Sequence, residues 1–192
     1  MVDVDTLTLE ERRQLLALAR WAIEQAVSRK NYQPVDLDCL PQRLREEGSC
    51  FVTITEANGD LRGCIGGLEP LLPLAVDVCE HAAAAALEDY RFQPVHLEEI
   101  SHLRLGISRL SKPKPLAYEG PEDLIARLKP GVDGVVLYHN SRRATFLPQV
   151  WHKLPDPSDF LSHLCEKMGA PADFWRQHQP LVEIYQVEEF HE

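Results

Sequence analysis

Cys64 lies in the stretch "LRGCIGGLEP", one residue after Gly63 and two before Gly66, with Arg62 two residues ahead of it. A thiol beside a guanidinium is a pairing that makes a nucleophile, because the positive charge favours the thiolate. Glycines on both sides leave little side-chain cover, so a ligand or another stretch of backbone can come close. The same residues also fit a small core cysteine in a tight turn, since free cysteine is among the most buried residue types. Cys64 is therefore the candidate catalytic group, and Arg62, Gly63 and Gly66 are its motif residues.

Other residues could join it. Asp77 and His81 stand four apart on a helical stretch, so they can meet on one face. A carboxylate that orients a histidine belongs to many acid–base sites, but a surface pair is the simpler expectation. His81 and Cys64 would form a nucleophilic couple if the fold joined them. In "EDYRFQPV", Asp89 and Arg91 are expected to pair at a helix exit, with Phe92 as an anchor. Trp151, Phe174 and Trp175 are read as core residues rather than a ligand cage. His163 and Cys165 fall on different sides of a helix and do not pair.

The eight histidines make no H-x-H or H-E-x-x-H pattern and the five cysteines no C-x-x-C, so no metal site is expected. No cofactor is evident either. "GCIGG" lacks the lysine and spacing of a phosphate loop, and neither G-x-G-x-x-G nor G-x-S-x-G occurs.

These residues need elements to position them. "CFVTIT" and "LRGCIG" read as a hairpin around Asn58-Gly59, a dipeptide suited to two-residue turns. Counting outward, Glu56 faces Leu61, Thr55 faces Arg62, Ile54 faces Gly63, Thr53 faces Cys64 and Val52 faces Ile65. Val52, Ile54, Leu61 and Ile65 then share an apolar face, and Arg62 and Cys64 project together on the other, about 6–7 Å apart. "VVLYHNSRRATFL" reads as a second hairpin turning at Asn140-Ser141. It pairs Tyr138 with Arg143 and Val136 with Thr145, which sets Arg143 and Thr145 away from the apolar Val135, Leu137, Ala144 and Phe146.

Helices are expected after the capping box Thr8/Glu11, over Pro41 to Glu46 with Gly48 ending it, over "PLAVDVCEHAAAAALED", over "PEDLIARL", and over "SDFLSHLCEKMG" closed by Gly169. "LRLGISRLS" and "LVEIYQVEEF" read as further strands. Short antiparallel pairs with amphipathic helices give an α+β class, mainly antiparallel sheet flanked by helices. One domain over residues 1–192 is expected, with room for two interleaved subdomains.

Composition narrows the function. A formal net charge of -10 argues against general nucleic-acid binding, which needs a basic surface. The acidic start "MVDVDTLTLEE" has no apolar signal core, and no apolar run is long enough to span a membrane. Scattered, unpaired cysteines point to a reducing, cytoplasmic location.

Four blocks together resemble one family, the AMMECR family. "LRGCIG" is its hallmark, "LEDYRFQPV" resembles its D-x-R-F-x-P segment, "PGVDGVVL" its G-x-D-G strand start, and "RRATFLPQVW" its R-A-T-F-L-P block. Gly67-Leu68 replaces a Thr-Phe common in eukaryotic members, and Tyr90 and Gln93 replace common prolines. The resemblance implies an α+β domain of two unequal lobes with a cleft at the LRGCIG motif. It also implies kinship with system protein A of the prokaryotic AmmeMemoRadiSam set, hence Memo-like and radical S-adenosylmethionine proteins as partners. It carries no established reaction. The expectation is a cleft-centred enzyme or substrate-handling protein for an unknown small molecule, with Cys64 at its centre and Arg62 and Arg143 holding an anionic group. The alternative is a non-catalytic adaptor for a partner protein.

Overall fold

The computed structural model describes residues 6–28 and 34–192. The acidic residues 1–5, part of the N-terminal reading above, lie outside the described residues. In chain order the first elements are α1 (Leu9–Val27), α2 (Gln42–Arg45), β1 (Glu47–Thr55), β2 (Leu61–Gly66), β3 (Leu72–Pro73), α3 (Leu74–Leu87) and β4 (Arg104–Leu110). Then follow β5 (Lys114–Pro115), α4 (Pro121–Arg127), β6 (Gly134–His139), β7 (Arg142–Phe146), α5 (Pro157–Lys167), α6 (Phe174–Gln177), β8 (Leu181–Tyr185) and β9 (Val187–His191). The chain divides into two units, Met1–Ser111 with Glu188–Glu192, and Lys112–Val187.

The first unit carries a sheet in the order β2-β1-β4-β9, with β3 paired to β1. β1 runs antiparallel to β2, β3 and β4. α1 starts where the sequence signals it: the Thr8 side chain accepts from the Glu11 amide, and Glu11 accepts from the Thr8 amide. Its Leu15, Ala19 and Ile23 join Ala75, Val78, Ala82 and Ala85 of α3 and Cys50, Val52, Ile54, Leu105 and Ile107 of the sheet in one core. Small residues bring α3 close to the sheet. A Cβ on Gly63 would lie 2.2 Å from the Ala85 carbonyl oxygen, so only glycine lets β2 pass under the helix backbone.

The second unit carries the order β5-β8-β6-β7, again with antiparallel pairs. Its core takes Val135, Leu137, Ala144 and Val182 from the strands and Phe160, Leu161 and Leu164 from α5. Trp151, Phe174 and Trp175 are buried in the same cluster, as expected of core residues, and Trp151 stacks on Phe160 at 3.7 Å. Asp156 caps α5 through the Ser158 and Asp159 amides, and Gly169 follows it with φ +78.

The α+β class with antiparallel sheet and flanking helices holds, as two sheets. Three local readings change. Gly48 lies inside β1 rather than ending a helix. "LVEIYQVEEF" is two strands, because Gln186 separates β8 from β9 and the two enter different sheets. Leu61, expected on the apolar face, is 41% exposed. No described helix is long and apolar enough to cross a membrane.

Candidate functional site

The β1–β2 hairpin turns through three residues, not two. The Gly59 amide donates to the Glu56 carbonyl and the Glu56 amide to the Asp60 carbonyl, which leaves Ala57, Asn58 and Gly59 as the loop. Gly59 has φ +92, the left-handed geometry that ends such a loop. The longer loop alone would slip the register by one residue. A bulge at Arg62 takes the slip back: Thr55 pairs with Leu61, Ile54 with Gly63, Thr53 with Cys64 and Val52 with Ile65. The expected pairs from Ile54 inward stand, and those of Glu56 with Leu61 and Thr55 with Arg62 do not.

The bulge redirects Arg62. The residue is 9% exposed, and its guanidinium bonds Glu99, Nε to Oε1 at 3.0 Å and Nη2 to Oε2 at 3.3 Å, with Nη1 on the Gln93 carbonyl at 2.9 Å. Burial alone raises the Glu99 carboxyl, but Arg62 and the His96 amide leave it below its ordinary value. Arg62 thus ties β2 to the 93–99 segment, where its guanidinium is taken up by Glu99 and the Gln93 carbonyl. The physical reason is that the extra residue has no partner on β1, so simple alternation of faces fails there.

Cys64 itself is half-buried, and its sulfur accepts from the Thr53 hydroxyl at 3.4 Å. β2 is the sheet's edge strand, so its outward backbone groups need partners. Asp89 and Arg91 supply them. The Cys64 amide donates to Asp89 Oδ2 at 2.8 Å, and Arg91 Nη2 donates to the Cys64 carbonyl at 3.3 Å. Arg91 also grips Asp89, Nε to Oδ1 at 2.8 Å and Nη2 to Oδ2 at 2.6 Å. That grip, with the amides of Cys64 and Arg91, holds the Asp89 carboxyl well below the usual carboxylate range. The expected helix-exit pair is therefore also a clamp that mimics a neighbouring strand at Cys64. The flanking glycines admit the protein's own backbone: a Cβ on Gly66 would lie 2.4 Å from the Cys50 carbonyl oxygen, and Gly63 meets Ala85.

Asp77 and His81 are not a surface pair. Asp77 is 4% exposed, and its Oδ2 accepts the Cys50 amide at 2.9 Å and lies 3.2 Å from His81 Nδ1. Burial first, and then Asp77, pushes the Cys50 thiol well up. His81 therefore joins Asp77 and Cys50, and its ring edges Gly67, where a Cβ would lie 3.3 Å from Cε1.

The AMMECR1 family model matches residues 16–190. The chain belongs to the AMMECR1 family. It is 38% identical over 198 residues to a protein of Thermofilum pendens, covering 96% of this chain and 91% of that one. A protein of Methanothermobacter thermautotrophicus is 38% identical over 192 residues, covering 97% and 96%. The crystal structure of Uncharacterized Protein PH0010 from Pyrococcus horikoshii is similar with a TM-score of 0.77 and 33% identity, over 97% of this chain and 93% of that one.

In this AMMECR1-family chain the LRGCIG and DYRF blocks meet at Cys64, while the other two blocks sit in the second unit. There the β6–β7 register is the expected one, Tyr138 with Arg143 and Val136 with Thr145, and Asn140 turns with φ 55. Arg143 bonds the Tyr138 hydroxyl, which donates to Glu183 at 2.8 Å. Burial pushes the Tyr138 phenol up, Glu183 adds to it, and Arg143 offsets part. Thr145 bonds the Tyr185 hydroxyl at 3.1 Å, and burial raises that phenol to about 12. Asp133 of the "PGVDG" block is 1% exposed and closes its loop on the Lys129 amide at 2.9 Å. The sequence reading missed Cys50 and Glu99. Cys50 lies 27 residues from Asp77 and Glu99 lies 37 from Arg62, and no local pattern links such pairs.

Proposed function

We propose that this AMMECR1-family chain is an enzyme or substrate-handling protein whose working group is the Cys64 thiol. One observation carries the reading: a half-buried thiol whose own amide and carbonyl are both held by the Asp89–Arg91 pair. A catalytic or covalent-binding group works only when it is held in place, and a bidentate ion pair on the backbone supplies that. The free molecule it acts on is a small metabolite, and Thr53 is the neighbour that orients the sulfur. In the same reading the chain is the system protein A of an AmmeMemoRadiSam set, working in the cytoplasm beside Memo-like and radical S-adenosylmethionine proteins. The family resemblance of the four sequence blocks supports that placement.

The test is a metabolite extract equilibrated with wild type and Cys64→Ser, followed by mass spectrometry of what each retains. The reading expects a compound held by wild type at least about tenfold over Cys64→Ser, with both proteins melting alike. Equal profiles would overturn it and favour the adaptor. That second reading has one observation of its own: Tyr90, between the two clamp residues, is 96% exposed.

A further inference from the structure

Cys50, Asp77 and His81 offer a sulfur, an oxygen and a nitrogen within 4.8 Å of one another. They come from β1 and from adjacent turns of α3, so one packed strand–helix contact sets their geometry. Asp77 Oδ2 and His81 Nδ1 stand 3.2 Å apart. Two ligands bound at about 2.1 Å in a tetrahedron lie roughly 3.4 Å apart, so this pair already has ligand spacing. A thiolate bound at about 2.3 Å needs roughly 3.6 Å to each of them, inside the 4.8 Å span that already holds all three ligand atoms.

Charge points the same way. A buried carboxylate needs a compensating positive charge. Asp89 has Arg91, and Glu188 has Arg12 and Arg109. The ion-pair partner of Asp77 is His81, whose charge depends on its proton. A divalent ion would satisfy the aspartate and take the imidazole nitrogen as a second ligand. The donor set selects the ion: hard Mg²⁺ and Ca²⁺ prefer oxygen, whereas sulfur with imidazole suits Zn²⁺ and its neighbours.

We propose that Cys50, Asp77 and His81 bind one zinc-class divalent ion. Three protein ligands leave a fourth position for water, the pattern of zinc sites that do chemistry. The His81 side chain is 21% exposed, which gives an access route. On binding, the Cys50 S–H bond breaks, its proton passes to solvent, and the electron pair forms the sulfur–metal bond. The site does not depend on Cys64, which lies on the other face of the hairpin register.

The experiment is titration of chelator-treated full-length protein with Co²⁺, followed by Zn²⁺ displacement. One Co²⁺ per chain with a near-ultraviolet thiolate charge-transfer band is expected, lost on adding Zn²⁺ and lost in Cys50→Ser. His81→Gln, at a partly exposed position, should fold like wild type and weaken Co²⁺ binding about tenfold or more. Cys64→Ser should keep the band. No band in wild type, a band surviving unchanged in His81→Gln, or a band lost in Cys64→Ser but kept in Cys50→Ser each overturns the proposal. If Cys50→Ser does not fold, the His81→Gln result decides.

Discussion

Cys64 and Cys50 use the same backbone device to opposite ends. Each amide donates to an aspartate carried by α3 or the turn just beyond it, Asp89 at 2.8 Å and Asp77 at 2.9 Å. Cys64 is half-buried on the edge strand, whereas Cys50 is fully buried on the central β1. Asp89 is neutralised by a bidentate arginine, which is always charged. Asp77 is matched by a histidine, which is charged only when protonated. The difference separates two settings. The arginine-backed aspartate holds the backbone of a half-buried thiol at the sheet edge. The histidine-backed aspartate holds the amide of a fully buried one.

The comparison breaks most completely if β2 is pushed off α3. Gly63→Ala must move the Ala85 carbonyl, since the new Cβ would sit 2.2 Å from its oxygen. We expect a loss of about 3 kcal/mol in denaturant titration, at the upper end of overpacking costs. An alanine tolerated within about 0.5 kcal/mol would mean that β2 and α3 are not in rigid contact.

A smaller effect tests the two aspartates against each other. Asp89→Asn removes the charged half of the Arg91 grip and should cost about 2 kcal/mol, whereas Asp77→Asn keeps an acceptor for the Cys50 amide and should cost about 1 kcal/mol. The pH dependence follows from sign. The folded Asp89 carboxyl is depressed, so its stabilisation is complete above its unfolded value of about 3.9 and is lost as pH falls toward the folded value. The stability gap between wild type and Asp89→Asn should therefore be constant above about pH 5 and shrink below about pH 4. A gap that grows on acidification would refute the clamp.

Local signals in the sequence were readable where they act locally. The Thr8/Glu11 box starts α1, and Asn140 turns the second hairpin in the expected register. The first hairpin shows the limit. Asn58-Gly59 announces a turn, but Gly59 serves a three-residue loop, and only the Arg62 bulge restores the register at Cys64. A bulge has no fixed sequence signature, so the fate of Arg62 could not be read. Gln186 likewise gives no sign that one apolar-polar run feeds two sheets. Asp89 and Arg91 were legible as a pair because they are two residues apart. Their hold on Cys64, and the hold of Asp77 on Cys50, are tertiary contacts across 25 and 27 residues. The family resemblance located the motif without supplying those contacts.

The most direct measurement is peptide-mapped alkylation of the native protein in a Cys39→Ser background, which removes the one exposed thiol among the described cysteines. The account predicts label on Cys64 in the folded state, on the order of a hundredfold or more ahead of Cys50, Cys79 and Cys165, which react only as the structure opens. Cys64 as slow as those three buried thiols would contradict the claim that it is the accessible working group.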